Sequence, residues 1–94
     1  MSLSLDEKER IVYADGRIRH LTEKECGILS VLMKHPDCVM TIEEIYRDAW
    51  AEEPFSCRPT IYVHMRHLRR KIERDPDCPK HLLMAWGKGY MYHP

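Results

Sequence analysis

Residues 61–73 read "IYVHMRHLRRKIE", and they combine bulky apolar side chains with a dense set of arginine, lysine and histidine. On a helical wheel of about 100° per residue, the apolar residues at spacings of four, three and four fall into one narrow stripe. That stripe comprises Ile61, Met65, Leu68 and Ile72. We therefore predict a helix that begins near Thr60, after Pro59, that is stopped by Asp75-Pro76, and that builds the core with this stripe.

The other side of this predicted helix is basic. It collects Val63, Arg66, His67, Arg70 and Arg74, with Thr60, His64 and Lys71 on its flank. Arginine can pair with the N7 and O6 atoms of guanine in the major groove, and residues on the flanks can reach phosphates. A merely solvated amphipathic helix is the alternative interpretation, because most charge runs are just surface.

The segments before this helix predict a small sheet and two shorter helices. "LSL" at residues 3–5 is a candidate strand, and residues 11–13 and 18–21 form a hairpin across an Asp15-Gly16 turn. Thr22 with Glu25 and Thr41 with Glu44 each have the spacing of a capping box, which marks the start of a helix. Val39-Met40 is a short β-like piece just before the second helix.

The segments around and after the basic helix complete the domain. "AEEPFSC" at residues 51–57 breaks the periodicity and reads as a loop. "HLLMAW" and "YMY" are candidate strands joined by "GKG". The order predicts one α+β domain over residues 1–94, with an N-terminal antiparallel sheet, three helices and a C-terminal hairpin. Two short helices, a longer basic helix and a hairpin suggest a helix-turn-helix with a wing.

Charge is divided unevenly along a chain of 94 residues whose formal net charge is zero. Residues 1–56 carry 7 basic and 12 acidic side chains, and residues 57–94 carry 8 basic and 3 acidic ones, so the halves have net charges of −5 and +5. Such asymmetry points to nucleic acid or membrane binding. No segment is long and apolar enough to span a bilayer, and no secretory signal is present, so we expect a cytoplasmic protein.

Catalysis and metal binding have no positive support in the sequence. The four cysteines, Cys26, Cys38, Cys57 and Cys78, form no close pair, so zinc ribbons and redox motifs are weak interpretations. His64 and His67 stand one helical turn apart, but no third ligand is nearby in sequence. No nucleophile elbow, P-loop or paired-carboxylate pattern is present. We expect no enzyme, no cofactor and no metal.

Four motifs give the chain a family resemblance. They are "LTEKE..IL..L", "HPDCVMTIEEIY...W", "VHMRHLRRKIE.DP" and "GKGY", and they occur in this order within a resemblance that covers about residues 3–92. Together they resemble the OmpR/PhoB-type DNA-binding domain of bacterial response regulators. The resemblance implies a winged helix whose third helix enters the major groove and whose hairpin wing reaches the neighbouring minor groove.

The resemblance also implies site residues and partners. It places Thr60, Val63, His64, Arg66, His67 and Arg69 at groove or phosphate positions, Trp50 near the DNA backbone, and Lys88 and Tyr90 on the wing. Arg70, Lys71 and Arg74 add further positive charge to the predicted DNA surface. The implied partners are double-stranded DNA at direct-repeat sites, RNA polymerase through the loop of residues 51–57, a second copy in the full-length regulator, an upstream receiver domain and a sensor kinase.

The chain departs from the family pattern in several places. Tyr62 stands where the family usually has aspartate, and Trp86 stands where arginine commonly precedes the wing glycine. Pro59 occupies a position that is often arginine, although Arg58 beside it can substitute. Cys26 replaces a customary phenylalanine in the core.

Three alternatives remain open at this point. The winged helix can serve protein contacts only, with its positive face on an acidic partner. A metal or thiol enzyme can be built on the histidines and cysteines. In the acidic loop, Glu52, Glu53 and Phe55 form a predicted polymerase contact, whereas the competing interpretation is a plain connector with Phe55 packed onto the core.

Overall fold

The N-terminal sheet has three antiparallel strands. A computed structural model describes residues 3–94, so residues 1 and 2 of the predicted domain lie outside the described residues. Strands β1 (Leu3–Asp6), β2 (Ile11–Ala14) and β3 (Arg17–His20) are ordered β1-β2-β3. Asp15 and Gly16 both have positive φ, at 50° and 76°, as a two-residue Asp-Gly hairpin turn requires. The predicted hairpin and first strand are confirmed.

Helices α1 (Glu23–Met33) and α2 (Ile42–Trp50) begin at the two predicted capping boxes. The Thr22 hydroxyl accepts from the Glu25 amide, and the Thr22 amide donates to the Glu25 carboxylate at 2.9 Å. Thr41 and Glu44 repeat the same pair of bonds, also with 2.9 Å to the carboxylate. Each box satisfies two amides that have no partner within the helix, which fixes where the helix starts.

Helix α3 (Arg58–Ile72) corrects the predicted boundaries at both ends. It begins two residues before Thr60, because Pro59 lies in its first turn, where a missing amide hydrogen costs nothing. It ends at Ile72 rather than at Asp75-Pro76, and Glu73 is already extended, with ψ 145°. Arg74 therefore does not lie on the helix, contrary to the wheel.

Glu73 explains the early end of α3. Its buried carboxylate accepts the backbone amides of Lys80 at 3.0 Å, His81 at 2.9 Å and Leu82 at 2.8 Å. Turning away from the helix brings this side chain to the start of the next strand. A charge buried in this way is stabilised by the three donors that surround it.

The second sheet carries the wing. Strands β4 (Met40–Thr41), β5 (Leu82–Ala85) and β6 (Gly89–Tyr92) are ordered β4-β6-β5 and antiparallel. Gly89 pairs with Thr41, and a Cβ atom at residue 89 would lie 1.8 Å from the Met40 carbonyl oxygen. Only glycine fits there, so this residue ties the hairpin closely to the entrance of α2. The hairpin was predicted, but its pairing with β4 was not.

The helices and both sheets share one core, and the predicted apolar stripe of α3 is confirmed as part of it. Ile61, Leu68 and Ile72 are fully buried, and Met65 is 1% exposed. Within residues 3–94, no helix is long and apolar enough to cross a membrane. The architecture is the predicted α+β winged helix, with an N-terminal sheet, three helices and a C-terminal hairpin.

Candidate nucleic-acid interface

The outward face of α3 is exposed and basic. Arg66, His67 and Arg70 are exposed beside Val63, which is 48% exposed. They lie opposite the core stripe on a helix of 15 residues, which is about 22 Å long. This length is enough to follow a major groove over several base pairs.

A buried carboxylate supports this face from beneath. Glu25, 2% exposed, lies 2.6 Å from the Lys71 ammonium and 3.7 Å from Nδ1 of His67. Lys71 also donates to the His20 carbonyl at 3.0 Å. Two internal contacts thus hold the Lys71 ammonium, although its side chain remains 29% exposed. His67 stays half-exposed at the edge of the same cluster.

Glu25 keeps its charge because of these partners. Desolvation, the largest single effect, raises its pKa, but the hydrogen bonds from Lys71 and from the Thr22 amide outweigh it. The charges of Lys71 and His67 act in the same direction, so the pKa of Glu25 lies below its usual value. The sequence marked Glu25 only as a capping residue. Its partner Lys71 lies 46 residues away, and no local pattern announces that contact.

Trp50 ends α2 within an aromatic cluster. Its indole stacks on Tyr46, with ring centroids 4.7 Å apart and an interplanar angle of 10°. The His64 ring meets Trp50 edge-on at 5.4 Å, and the Lys24 ammonium lies 5.1 Å from the indole centroid. His64 donates from Nδ1 to the Thr60 carbonyl at 2.7 Å, so Nε2 is the ring nitrogen that remains for a contact outside the helix. Thr60 itself is only half-buried.

Two residues predicted for the interface have internal roles instead. Arg69 donates from Nε to the Leu82 carbonyl at 3.0 Å, and its guanidinium lies 5.7 Å from the Tyr90 ring centroid. Tyr90 is 2% exposed, and desolvation raises the pKa of its hydroxyl. Because it is buried, Tyr90 is not part of the exposed surface that the wing and α3 present. Together the pair fixes the wing sheet against α3.

Arg74 is also placed differently from its prediction. Because α3 has ended, its side chain turns towards the N-terminal hairpin, and Nε donates to the Asp15 carboxylate at 3.0 Å. Its side chain is 82% exposed, so the ion pair is a surface one of small energy. Arg74 therefore does not share the outward face of Arg66 and Arg70.

The wing turn lies beside the first turns of α3. One groove of about 270 Å³ is lined by Arg58 and Tyr62 from α3 and by Trp86 and Lys88 from the wing. Lys88 is exposed, and Arg58 donates to the Tyr62 hydroxyl at 3.4 Å. The sequence pointed to Lys88 and Arg58 as contacts, and to Trp86 as a replacement for a family arginine whose phosphate contact is lost or replaced by stacking. It did not point to Tyr62 as a contact. The departure of Tyr62 from the family pattern was the available signal.

The loop between α2 and α3 projects from the domain. Phe55 is 86% exposed, and Glu52 and Glu53 are exposed as well. The alternative that packs Phe55 onto the core is therefore wrong. Phe55 is an exposed aromatic ring, a residue type that is enriched at protein interfaces. The exposed carboxylates of Glu52 and Glu53 before it would repel DNA phosphates.

This exposed basic helix, set against a three-stranded sheet with a wing, defines a winged-helix domain of the kind found in transcriptional regulators. Residues 16–92 match the family described as "Transcriptional regulatory protein, C terminal", and the chain belongs to that family. The transcriptional regulatory protein YcbL of Bacillus subtilis, itself described as uncharacterized, is 41% identical over 88 residues, which are 94% of this chain. ResD of the same organism is 35% identical over 96% of this chain.

Solved structures agree with the family. The response regulator DrrB of Thermotoga maritima, described as an OmpR/PhoB homolog, has 33% identity and a TM-score of 0.84 over 98% of this chain. The DNA-binding domain of Klebsiella pneumoniae RstA, solved with the RstA box, shares the fold with a TM-score of 0.85 over 99% of this chain and 92% of that domain, at 20% identity. The OmpR/PhoB resemblance is thereby confirmed. The chain spans only 39% of YcbL, 38% of ResD and 42% of DrrB.

Proposed function

We propose that this domain binds double-stranded DNA in a sequence-specific way, as the effector domain of a cytoplasmic two-component response regulator that controls transcription. The observation that carries the proposal is the juxtaposition of the basic outward face of α3 with the wing turn across one groove. The helix fits the major groove, and the wing turn beside it fits the neighbouring minor groove. The DNA-binding domain of RstA, which shares this fold, was solved with the RstA box, and this supports DNA binding by the fold.

The proposed contacts divide by role. Val63, Arg66 and His67 face base edges, because they occupy the centre of the exposed face. Arg58, Thr60, His64, Arg70 and Lys88 lie at its margins and reach phosphates. Trp50 supports the backbone contact through its edge contact with His64. Lys71 and Arg69 fix the helix from inside, and we assign no catalytic residue and no metal ligand.

The partners of the whole regulator follow from the same proposal. We propose that the projecting loop of Glu52, Glu53 and Phe55 contacts RNA polymerase, since its acidity would direct it away from DNA. We further propose an upstream receiver domain, a sensor kinase and self-association on direct-repeat sites in a full-length regulator, as the resemblance to OmpR/PhoB-type response regulators implies.

The test is selection of bound sequences from a random duplex pool by the purified chain. We expect enrichment of one short motif and a specific affinity at least about a thousandfold above that for random duplex. The rival protein-contact module predicts no enriched motif and only weak binding to duplex. Recovery of an unenriched pool after several rounds would overturn the proposed function.

A further inference from the structure

Trp86 is the most exposed of the large apolar side chains among residues 3–94, at 88%. It stands in the wing turn, one residue after β5 ends at Ala85. The Lys88 amide donates to the Ala85 carbonyl at 2.9 Å, and Gly87 has φ +71°, so the turn has a defined conformation. Because its indole is exposed to solvent on a structured turn, Trp86 contributes little to the hydrophobic core. Trp86 does not stand alone, and a contiguous exposed apolar patch marks a binding site.

The surroundings of Trp86 define what kind of partner fits. In the groove that it shares with α3, Tyr62 and Met84 are 41% and 42% exposed and supply further apolar surface. Arg58 and Lys88 supply positive charge along the same groove. Among the described residues that line it, none is acidic. The surface is thus apolar at its centre and cationic beside it.

A DNA backbone matches that pattern, because each strand alternates an apolar deoxyribose with a phosphate. Wing residues that approach a minor groove meet its sugar walls first, and proteins that bind this groove often combine apolar side chains with cationic ones. We propose that the Trp86 indole packs on the deoxyribose wall of the minor groove, with Lys88 and Arg58 on the flanking phosphates. The proposal rests on the proposed function and assigns the wing a specificity role.

The proposed specificity of the wing concerns the width of the DNA minor groove. A narrow A-tract minor groove has a strongly negative potential that attracts an inserted arginine. Trp86 has no charge, and its two fused rings are too bulky for a narrow groove. The wing of this chain therefore disfavours A-tracts at its contact position and adds affinity that salt does not screen.

The experiment uses the selected duplex and three variants, Trp86→Ala, Trp86→Arg and Lys88→Ala. Trp86→Ala should weaken binding about 5- to 10-fold at every salt concentration. This loss is at the lower end of what alanine substitution costs for aromatic residues that contact nucleic acid. The slope of log K against log salt should stay unchanged. Lys88→Ala should reduce that slope by about one. Trp86→Arg should steepen the slope and favour duplexes with an A-tract at the wing position.

A spectroscopic measurement is independent of affinity. The chain has two tryptophans, so Trp50→Phe leaves Trp86 as the only indole. The affinity of this variant for the duplex is measured first, and its emission is then followed to saturation. We expect quenching or a blue shift as water leaves the indole. Because Trp86 is exposed, its replacements should not change thermal unfolding, which serves as the control.

The outcomes separate the two proposals. A wild-type chain that binds no duplex overturns the proposed function, and this inference with it. A wild-type chain that binds duplex, while Trp86→Ala keeps full affinity and the Trp86 emission is unchanged, overturns this inference alone. A shift in emission with poly-glutamate but not with duplex would assign the groove to an acidic protein segment instead.

Discussion

At the scale of single residues, position relative to the end of α3 decides which arginine can read DNA. Arg66 lies within the helix and faces outward, whereas Arg74 lies past its end and pairs with Asp15. We expect Arg66→Ala and His67→Ala each to weaken binding to the selected duplex by about 1–3 kcal/mol and to relax its sequence preference. The matched control is Arg74→Ala, which removes a charge of the same type.

This comparison is measured by fluorescence anisotropy on the selected duplex and on a random one. Arg74→Ala should change both affinities by less than a factor of about three, because its guanidinium pairs with Asp15 beyond the end of α3. Equal losses for Arg66→Ala and Arg74→Ala on both duplexes would contradict the assignment of the face. The helical wheel alone put the two arginines together, so this distinction required the observed end of the helix.

Glu25 gives stability a pH dependence. Its pKa is lowered in the folded protein, despite the opposing effect of desolvation, because Lys71 and the Thr22 amide bind its charged form. A lowered folded pKa contributes stability that is present above the unfolded value and is lost as pH falls through the folded one. We expect the free energy of unfolding in urea to fall between about pH 5 and about pH 3.

Glu25→Gln removes this titration and should flatten that part of the profile, while lowering stability at neutral pH. Glu53→Gln is the control, since Glu53 is exposed and should leave the profile unchanged. A profile of Glu25→Gln that keeps the full acid dependence would show that other carboxylates cause it. The Thr22–Glu25 box was readable from sequence, but the contact with α3 depends on tertiary packing that spacing does not encode.

At the scale of elements, Glu73 decides where α3 ends and where the wing begins. Its three backbone donors at residues 80–82 join the end of the helix to the start of β5. Glu73→Gln keeps the size but turns an amide group towards amides, so we expect a loss of about 1–3 kcal/mol in the free energy of unfolding. Urea unfolding of Glu73→Gln, with Glu53→Gln as the control, measures this loss of stability. Equal stability of Glu73→Gln and Glu53→Gln would contradict the proposed role of Glu73 in joining α3 to β5.

The projecting loop is an element with a predicted partner. Replacing Glu52, Glu53 and Phe55 by alanine removes exposed side chains only, so thermal stability and operator binding should stay close to normal. In a full-length regulator that carries this domain, we expect transcriptional activation to fall at least about tenfold, because truncating an aromatic anchor costs about 2 kcal/mol or more. Parallel loss of DNA binding and activation would show that the loop supports the domain instead.

At the scale of the whole molecule, local signals predicted the fold well. Capping boxes, an Asp-Gly turn and the apolar stripe act over a few residues, and all three appear in the structure as expected. The features that the sequence placed differently or did not predict depend on contacts between segments that are distant in sequence. Arg74 on Asp15, Tyr90 beneath Arg69, and the pairing of β4 with β6 each join parts of the chain whose proximity only the folded core creates.

Charge segregation is the remaining property of the whole molecule, and it predicts a steep salt dependence for a neutral protein. The average charge is zero, but the proposed surface contains Arg58, Arg66, Arg70 and Lys88 as exposed cations. Three of them, Arg58, Arg70 and Lys88, are proposed to meet phosphates, so log K should fall against log salt with a slope of about −3 for one domain. A protein that interacted through its average charge would show a slope near zero.

Two variants locate the origin of that slope. Arg70→Ala removes a cation from the proposed surface and should reduce the slope by about one. Lys8→Ala removes the same charge from the turn between β1 and β2, away from α3, and should leave the slope unchanged. Both variants have the same net charge, so any difference between them reflects where the charge lies. Equal slopes for Arg70→Ala and Lys8→Ala would mean that the affinity for DNA depends only on the total charge of the protein. The proposed surface would then be wrong.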